Sequence, residues 1–172
     1  MKRVLLVLVI AAVLATGTAF AGDPRPDGLG IGVVAGYGGG WSGGGGSSNV
    51  GLALHLSDIY WGINLGLGEN HFALSVTGDF MTLTGGNISG PFGWYIDLGL
   101  YGGLGLATAG DNANLSLNFG ARLPIGLNLN FKPIDIWLAV VPRIGVDLNI
   151  GHGDFLNLGG GWGSEFGIRL WL

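Results

Sequence analysis

The sequence contains no cysteine, which excludes a disulfide framework and lipid attachment at a cysteine. Charge is scarce too. Asp, Glu, Lys and Arg make up 10% of the chain, where a soluble domain carries about a quarter. Seven residues are Lys or Arg and they form no cluster, so nothing in the chain offers the phosphate contacts a nucleic acid would need. After residue 21 no uniformly apolar stretch reaches the ~20 residues of a membrane helix. The mean hydropathy is nevertheless +0.52 and glycine occurs 37 times. The apolar residues must therefore be distributed through short alternating segments.

The N-terminus carries an address. Lys2 and Arg3 precede an apolar run from Val4 to Ala15, and Ala19-Phe20-Ala21 supplies small residues where a signal peptidase reads. Residues 1–21 are expected to be a cleaved secretory signal peptide, leaving 22–172 as one domain. Losing Lys2 and Arg3 leaves five basic residues against eleven acidic ones, a net charge of about −6.

Between Leu115 and Phe131 every odd position is apolar: Leu115, Leu117, Phe119, Ala121, Leu123, Ile125, Leu127, Leu129 and Phe131. A period of two is that of a strand, with one face hydrocarbon and the other polar or bare. At about 3.3 Å per residue the stripe reaches roughly 55 Å, more than a tilted strand of about 9–11 residues needs to cross a bilayer. The apolar face is expected to meet lipid.

Seven more segments alternate in the same way. Their outward residues are Leu29 to Tyr37 (odd), Val50 to Leu56 (even), Trp61 to Leu67 (odd), Phe72 to Val76 (even), Phe92 to Leu100 (even), Ile134 to Leu148 (even) and Phe166 to Leu172 (even). Turn-like compositions separate them at 38–49, 57–58, 68–70, 84–91, 107–114, 132–133 and 149–157. This predicts an all-β, eight-stranded antiparallel transmembrane β-barrel with up-and-down meander order. If the N-terminus starts in the periplasm, the links at 57–58, 84–91 and 132–133 are the inner turns, the second of them unusually long. Trp61, Phe92, Trp94 and Phe131 then form a girdle at that end. Pro124 and Pro142 lie inside strands, where the missing N–H predicts a β-bulge or the end of regular pairing.

The opposite face sends Asp79, Asp97, Arg122, Asp135, Arg143, Asp147, Glu165 and Arg169, with His55, into the lumen. Three arginines facing five carboxylates could line a solute path or pair off to close a narrow barrel; the second is favoured because eight-stranded barrels are filled by their own side chains. Tyr95, Tyr101, Trp137 and Trp171 are the bulky inward residues. Gly30, Gly32, Gly36, Gly51, Gly62 and Gly66 should leave the first three strands' side of the lumen to water. Arg25, outside every strand, reads as a solvated surface residue.

No chemistry-bearing constellation emerges. The glycines of 38–48 lack the Lys-Ser/Thr pair of a phosphate loop. His55, His71 and His152 have no neighbouring His or Cys to share a metal, and His152 with Asp154 has no serine nucleophile placed beside it. No catalytic, cofactor or metal residue is predicted. Trp41 and Phe155 are the large residues available for contacts in the outer loops.

The exported, cysteine-free, eight-stranded pattern resembles the small outer-membrane barrels typified by the OmpA and OmpX transmembrane domains. Leu29-Gly-Ile-Gly, Gly120-Ala-Arg-Leu-Pro-Ile-Gly126 and Ile134-Asp-Ile-Trp-Leu-Ala-Val-Val-Pro142 further resemble an uncharacterised family of spirochaete outer-membrane barrels. The resemblance implies a bacterial outer-membrane location, lipid as the surrounding partner, insertion machinery that reads the last strand, and no catalytic residues. The chain departs from it in ending Arg169-Leu-Trp-Leu172 rather than in phenylalanine. The expected function is a structural envelope barrel with limited passage of water or small ions. A surface adhesin and a barrel holding an apolar ligand at its mouth are the alternatives.

Overall fold

A computed structural model describes residues 25–40, 46–68, 71–109, 112–150 and 156–172; the expected signal peptide lies outside them. Nine strands are found among the described residues: β1 (Gly30–Gly40), β2 (Ser47–Leu56), β3 (Ile59–Gly68), β4 (His71–Ser89), β5 (Phe92–Ala109), β6 (Asn112–Arg122), β7 (Ile125–Phe131), β8 (Ile134–Ile150) and β9 (Leu156–Trp171). Every pairing is antiparallel; strands pair in chain order apart from β5 with β7 and β6 with β8, and β1 also pairs β9 and closes the sheet on itself. Both β6 and β7 lie between β5 and β8, so together they form one wall. The barrel has eight walls.

That shared wall shows what the two prolines do. Gly99 faces Arg122 and Ile96 faces Ile125, so the register with β5 runs unshifted across Leu123-Pro124. Pairing is interrupted there without a bulge. Asp97 N–H donates to the Pro124 carbonyl at 2.9 Å, and Leu123 N–H donates to the Pro142 carbonyl at 2.9 Å. Each proline still accepts one ladder bond and fails only to return it. At Pro142 no bulge occurs: toward β9 it faces Trp162 in unbroken register, while toward the β6–β7 wall regular pairing stops at Arg143 and resumes at Val140, and Ile144 beyond it remains outward and 63% exposed.

The 84–91 link is corrected. Most of it belongs to β4, which continues to Ser89 and returns through Gly90-Pro91, with Gly90 at φ +54°. Three register shifts, at Asp79/Met81, Thr82/Thr84 and Asn87/Ser89, break the alternation that would have revealed the strand. Gly85 faces Tyr95 and Gly86 faces Trp94, so rings on β5 stand opposite glycines that read as a turn. All three links at this end of the barrel, here the turn end, are then two residues long. Trp61, Phe92 and Phe131 are outward and exposed there.

The outer face is continuous hydrocarbon. Leu29, Ile31, Val33, Leu52, Ile63, Leu65, Leu100, Leu127, Leu138, Val140, Phe166, Ile168 and Leu170 are all more than a third exposed. The interior buries charged side chains beside aromatic ones such as Tyr95 and Trp137: Asp97 is 1% exposed, Asp135 0%, Arg169 4%, Arg122 5% and Arg25 7%.

Candidate functional site

The lumen divides into two chambers. At the turn end it is nearly filled, leaving a cavity of about 30 Å³ bordered by Arg25, Tyr60, Asp97, Arg122 and Arg169, room for about one water. At the opposite end, where β1 leads to β2 and β8 to β9, a chamber of about 310 Å³ is lined by Tyr37, Asn49, Ser75, Tyr101, Ser116, Asn118, Arg143, Asp147 and Ser164. Asn64, Thr77, Arg122 and Glu165 border both and form the partition.

Three arginines build the filled half in layers. Nearest the turns, Nη1 of Arg169 lies 3.5 Å from Oδ2 of Asp135, and its guanidinium sits over the rings of Trp137 at 4.5 Å, Tyr60 at 4.8 Å and Trp171 at 5.4 Å. In the middle, Arg25 grips Asp97 with both ends of its fork, Nη1 to Oδ2 at 2.8 Å and Nη2 to Oδ1 at 3.0 Å. Nη2 also donates to the Thr82 hydroxyl at 3.0 Å, which donates onward to Asp97 Oδ1 at 2.9 Å. At the partition, Nη2 of Arg122 donates to Oε2 of Glu165 at 2.7 Å. Its Nε lies 2.9 Å from Asp79 Oδ1, a charge contact in which neither atom makes an aligned hydrogen bond.

The eight charged residues read as luminal thus separate. Asp79, Asp97, Arg122, Asp135, Glu165 and Arg169 surround the filled half, while Arg143 and Asp147 line the open chamber. Arg143 lies 6.0 Å from the Tyr101 ring. Arg25 corrects the surface reading. It precedes β1, yet its side chain is 4% exposed, because the chain turns inward at Gly28. That residue has φ +116°, which a side chain rarely tolerates. His55 Nδ1 donates to the Gly28 carbonyl at 2.5 Å, and Leu172 N–H donates to the Leu29 carbonyl at 2.9 Å. The segment is tied to both sides of the β1 seam.

Tyr60 is the other residue the sequence reading passed over. Its place one residue from outward Trp61 and two from inward Gly62 was enough to turn it inward. Its ring stacks with His55 at 4.3 Å and lies 3.8 Å from the Arg25 guanidinium. Toward the turn end, the first strands' side of the lumen is accordingly filled. At Gly32 an added Cβ would strike the Ile168 carbonyl and come 2.7 Å from Arg169 Cα. The neighbouring backbone, and not water, occupies that position.

Two solved structures align with most of the chain. The Neisserial surface protein A (NspA) aligns with a TM-score of 0.57 at 10% identity, over 85% of this chain and 98% of its own. The fold is that of the eight-stranded outer-membrane barrels. The N-terminal β-barrel domain of Pseudomonas aeruginosa OprF aligns with a TM-score of 0.42 at 13% identity, over 82% of this chain and 96% of its own. No family of known proteins and no curated protein matches the sequence, so the narrower likeness to a spirochaete family gains no support. Trp41, Phe155 and His152 lie outside the described residues. Among the described residues no group of His, Asp and Glu is arranged to hold a metal ion.

Proposed function

We propose that the chain is an integral barrel of a bacterial outer membrane, with a structural role in the envelope and a lumen sealed toward the periplasm. The observation that carries this reading is the inversion of the usual protein: charges and glycine inside, hydrocarbon outside. Burying isolated ions is costly unless they are paired. A chain gains by it only where the outer surface meets lipid and the interior is its one polar refuge. The turn end faces the periplasm, as short inner turns and the outward Trp61, Phe92 and Phe131 suggest. The periodic last strand, β9, is what insertion machinery would read.

The two chambers bear on passage. The open chamber admits water and small solutes from the loop end, while three arginine-centred layers close the other half. The role is non-enzymatic, resting on the barrel as an envelope element. Cell fractionation combined with a heat-modifiability gel tests it: the chain should partition with outer membranes and migrate faster unboiled than boiled. Recovery in the soluble fraction, or a single mobility, would refute the membrane barrel.

A further inference from the structure

Arg25 differs from the other buried arginines because no wall strand carries it. Among the described residues, the groups that grip its head group belong to the barrel: Asp97 and Tyr95 on β5, Tyr60 on β3, Thr82 on β4. We propose that the filled half of the lumen is a guanidinium-binding site, occupied at rest by the chain's own Arg25 and able to take a small guanidinium compound from solution once Arg25 is withdrawn. This goes beyond the envelope role and does not depend on it.

The site is shaped for a guanidinium rather than for cations in general. The Arg25 carbon at the centre of the fork lies 3.8 Å from the Tyr60 ring centroid and 4.1 Å from that of Tyr95, and a flat, weakly hydrated cation can stack on rings in a way a compact ammonium cannot. Asp97 receives two parallel N–H bonds, one on each oxygen, which is fork-to-fork recognition and requires two donors in one plane. Thr82 accepts from the guanidinium and donates to the same carboxylate, so the hydroxyl is oriented with its acceptor side toward the cation.

Removing Arg25 would leave this cradle standing and charged. Asp97 is 1% exposed, and an uncompensated carboxylate at that depth demands a cation. Among the described residues that line the cavity, the four carboxyl groups of Asp79, Asp97, Asp135 and Glu165 would then face the two guanidinium groups of Arg122 and Arg169. The way in is the turn end, where residues 25–29 now enter. Binding needs no rearrangement of the walls, because the ladders around the site join wall strands to one another.

The test is chemical rescue. Arg25→Ala barrel in lipid vesicles is titrated with methylguanidinium, and in parallel with methylammonium at equal ionic strength, while thermal unfolding is followed by heat-modifiability. Methylguanidinium should raise the unfolding midpoint of Arg25→Ala saturably, at concentrations where methylammonium does nothing, and should leave wild type unmoved. Adding Tyr60→Leu to Arg25→Ala should weaken the apparent affinity about tenfold or more. If Arg25→Ala does not fold unaided, the yield of fast-migrating barrel on refolding becomes the readout, and methylguanidinium alone should restore it. An equal response to both cations, an equal response of wild type, or no response in either assay would overturn the proposal.

Discussion

Nη1 of Arg25 lies 2.8 Å from Oδ2 of Asp97, joining a residue ahead of the first strand to the fifth across 72 positions of chain. Their side chains are 4% and 2% exposed, so neither can trade its partner for water. Replacing Arg25 with methionine should destabilise the barrel by about 3–5 kcal/mol, because it strands a buried carboxylate. Arg143→Met, in the open chamber, should cost about 1 kcal/mol or less. Urea unfolding in vesicles compares them, and equal midpoints would remove Arg25 from the core.

The same pair predicts non-additivity. Asp97→Asn alone leaves Arg25 buried without its counter-charge, while the double variant with Arg25→Met leaves no bare charge. The double variant should therefore be more stable than the summed single losses imply, by about 0.5–3 kcal/mol. Strict additivity in a double-mutant cycle would mean the two groups do not meet.

Lipid contact has a depth signature. Arginine at Ile125 or Leu127 should cost about 2–4 kcal/mol near the bilayer midplane, whereas Phe131→Arg, beside the turn, should cost about 0–1 kcal/mol. Equal small effects at all three positions would mean that this face does not meet hydrocarbon.

The inward glycines should differ sharply from one another. At Gly32 a methyl group would meet the backbone of β9, and at Gly66 it would meet Ala73 Cβ at an ordinary 3.4 Å. Gly32→Ala should lose about 1–3 kcal/mol by overpacking, and Gly66→Ala should be close to neutral. Denaturant midpoints of the two variants decide whether backbone fills the space at Gly32 while the space at Gly66, on the open chamber, stays free.

Much of the barrel was legible because alternation is a local signal. Odd positions from Leu115 to Phe131 point outward through both β6 and β7, and even positions from Ile134 to Leu148 do so through β8 despite Pro142. Legibility failed where the local signal breaks. Three bulges hid the end of β4, and Thr84 to Asn87 read as a turn because the rings opposite them are distant in sequence. Arg25 was illegible for a different reason. It belongs to no strand, so no periodicity assigns it a face; only the inward turn at Gly28 and the waiting Asp97 do. The lumen charges were readable as a set, but their division into a paired half and an open half depends on register between strands, which single-strand patterns do not contain.

The central claim is a membrane barrel closed at one end by its own side chains. Single-channel recording in a planar bilayer tests it most directly. The account predicts no steady conductance from the wild-type protein and, at most, small rare currents. A large, stable, porin-like conductance would contradict it, because no such current can pass the layers of Arg169, Arg25 and Arg122.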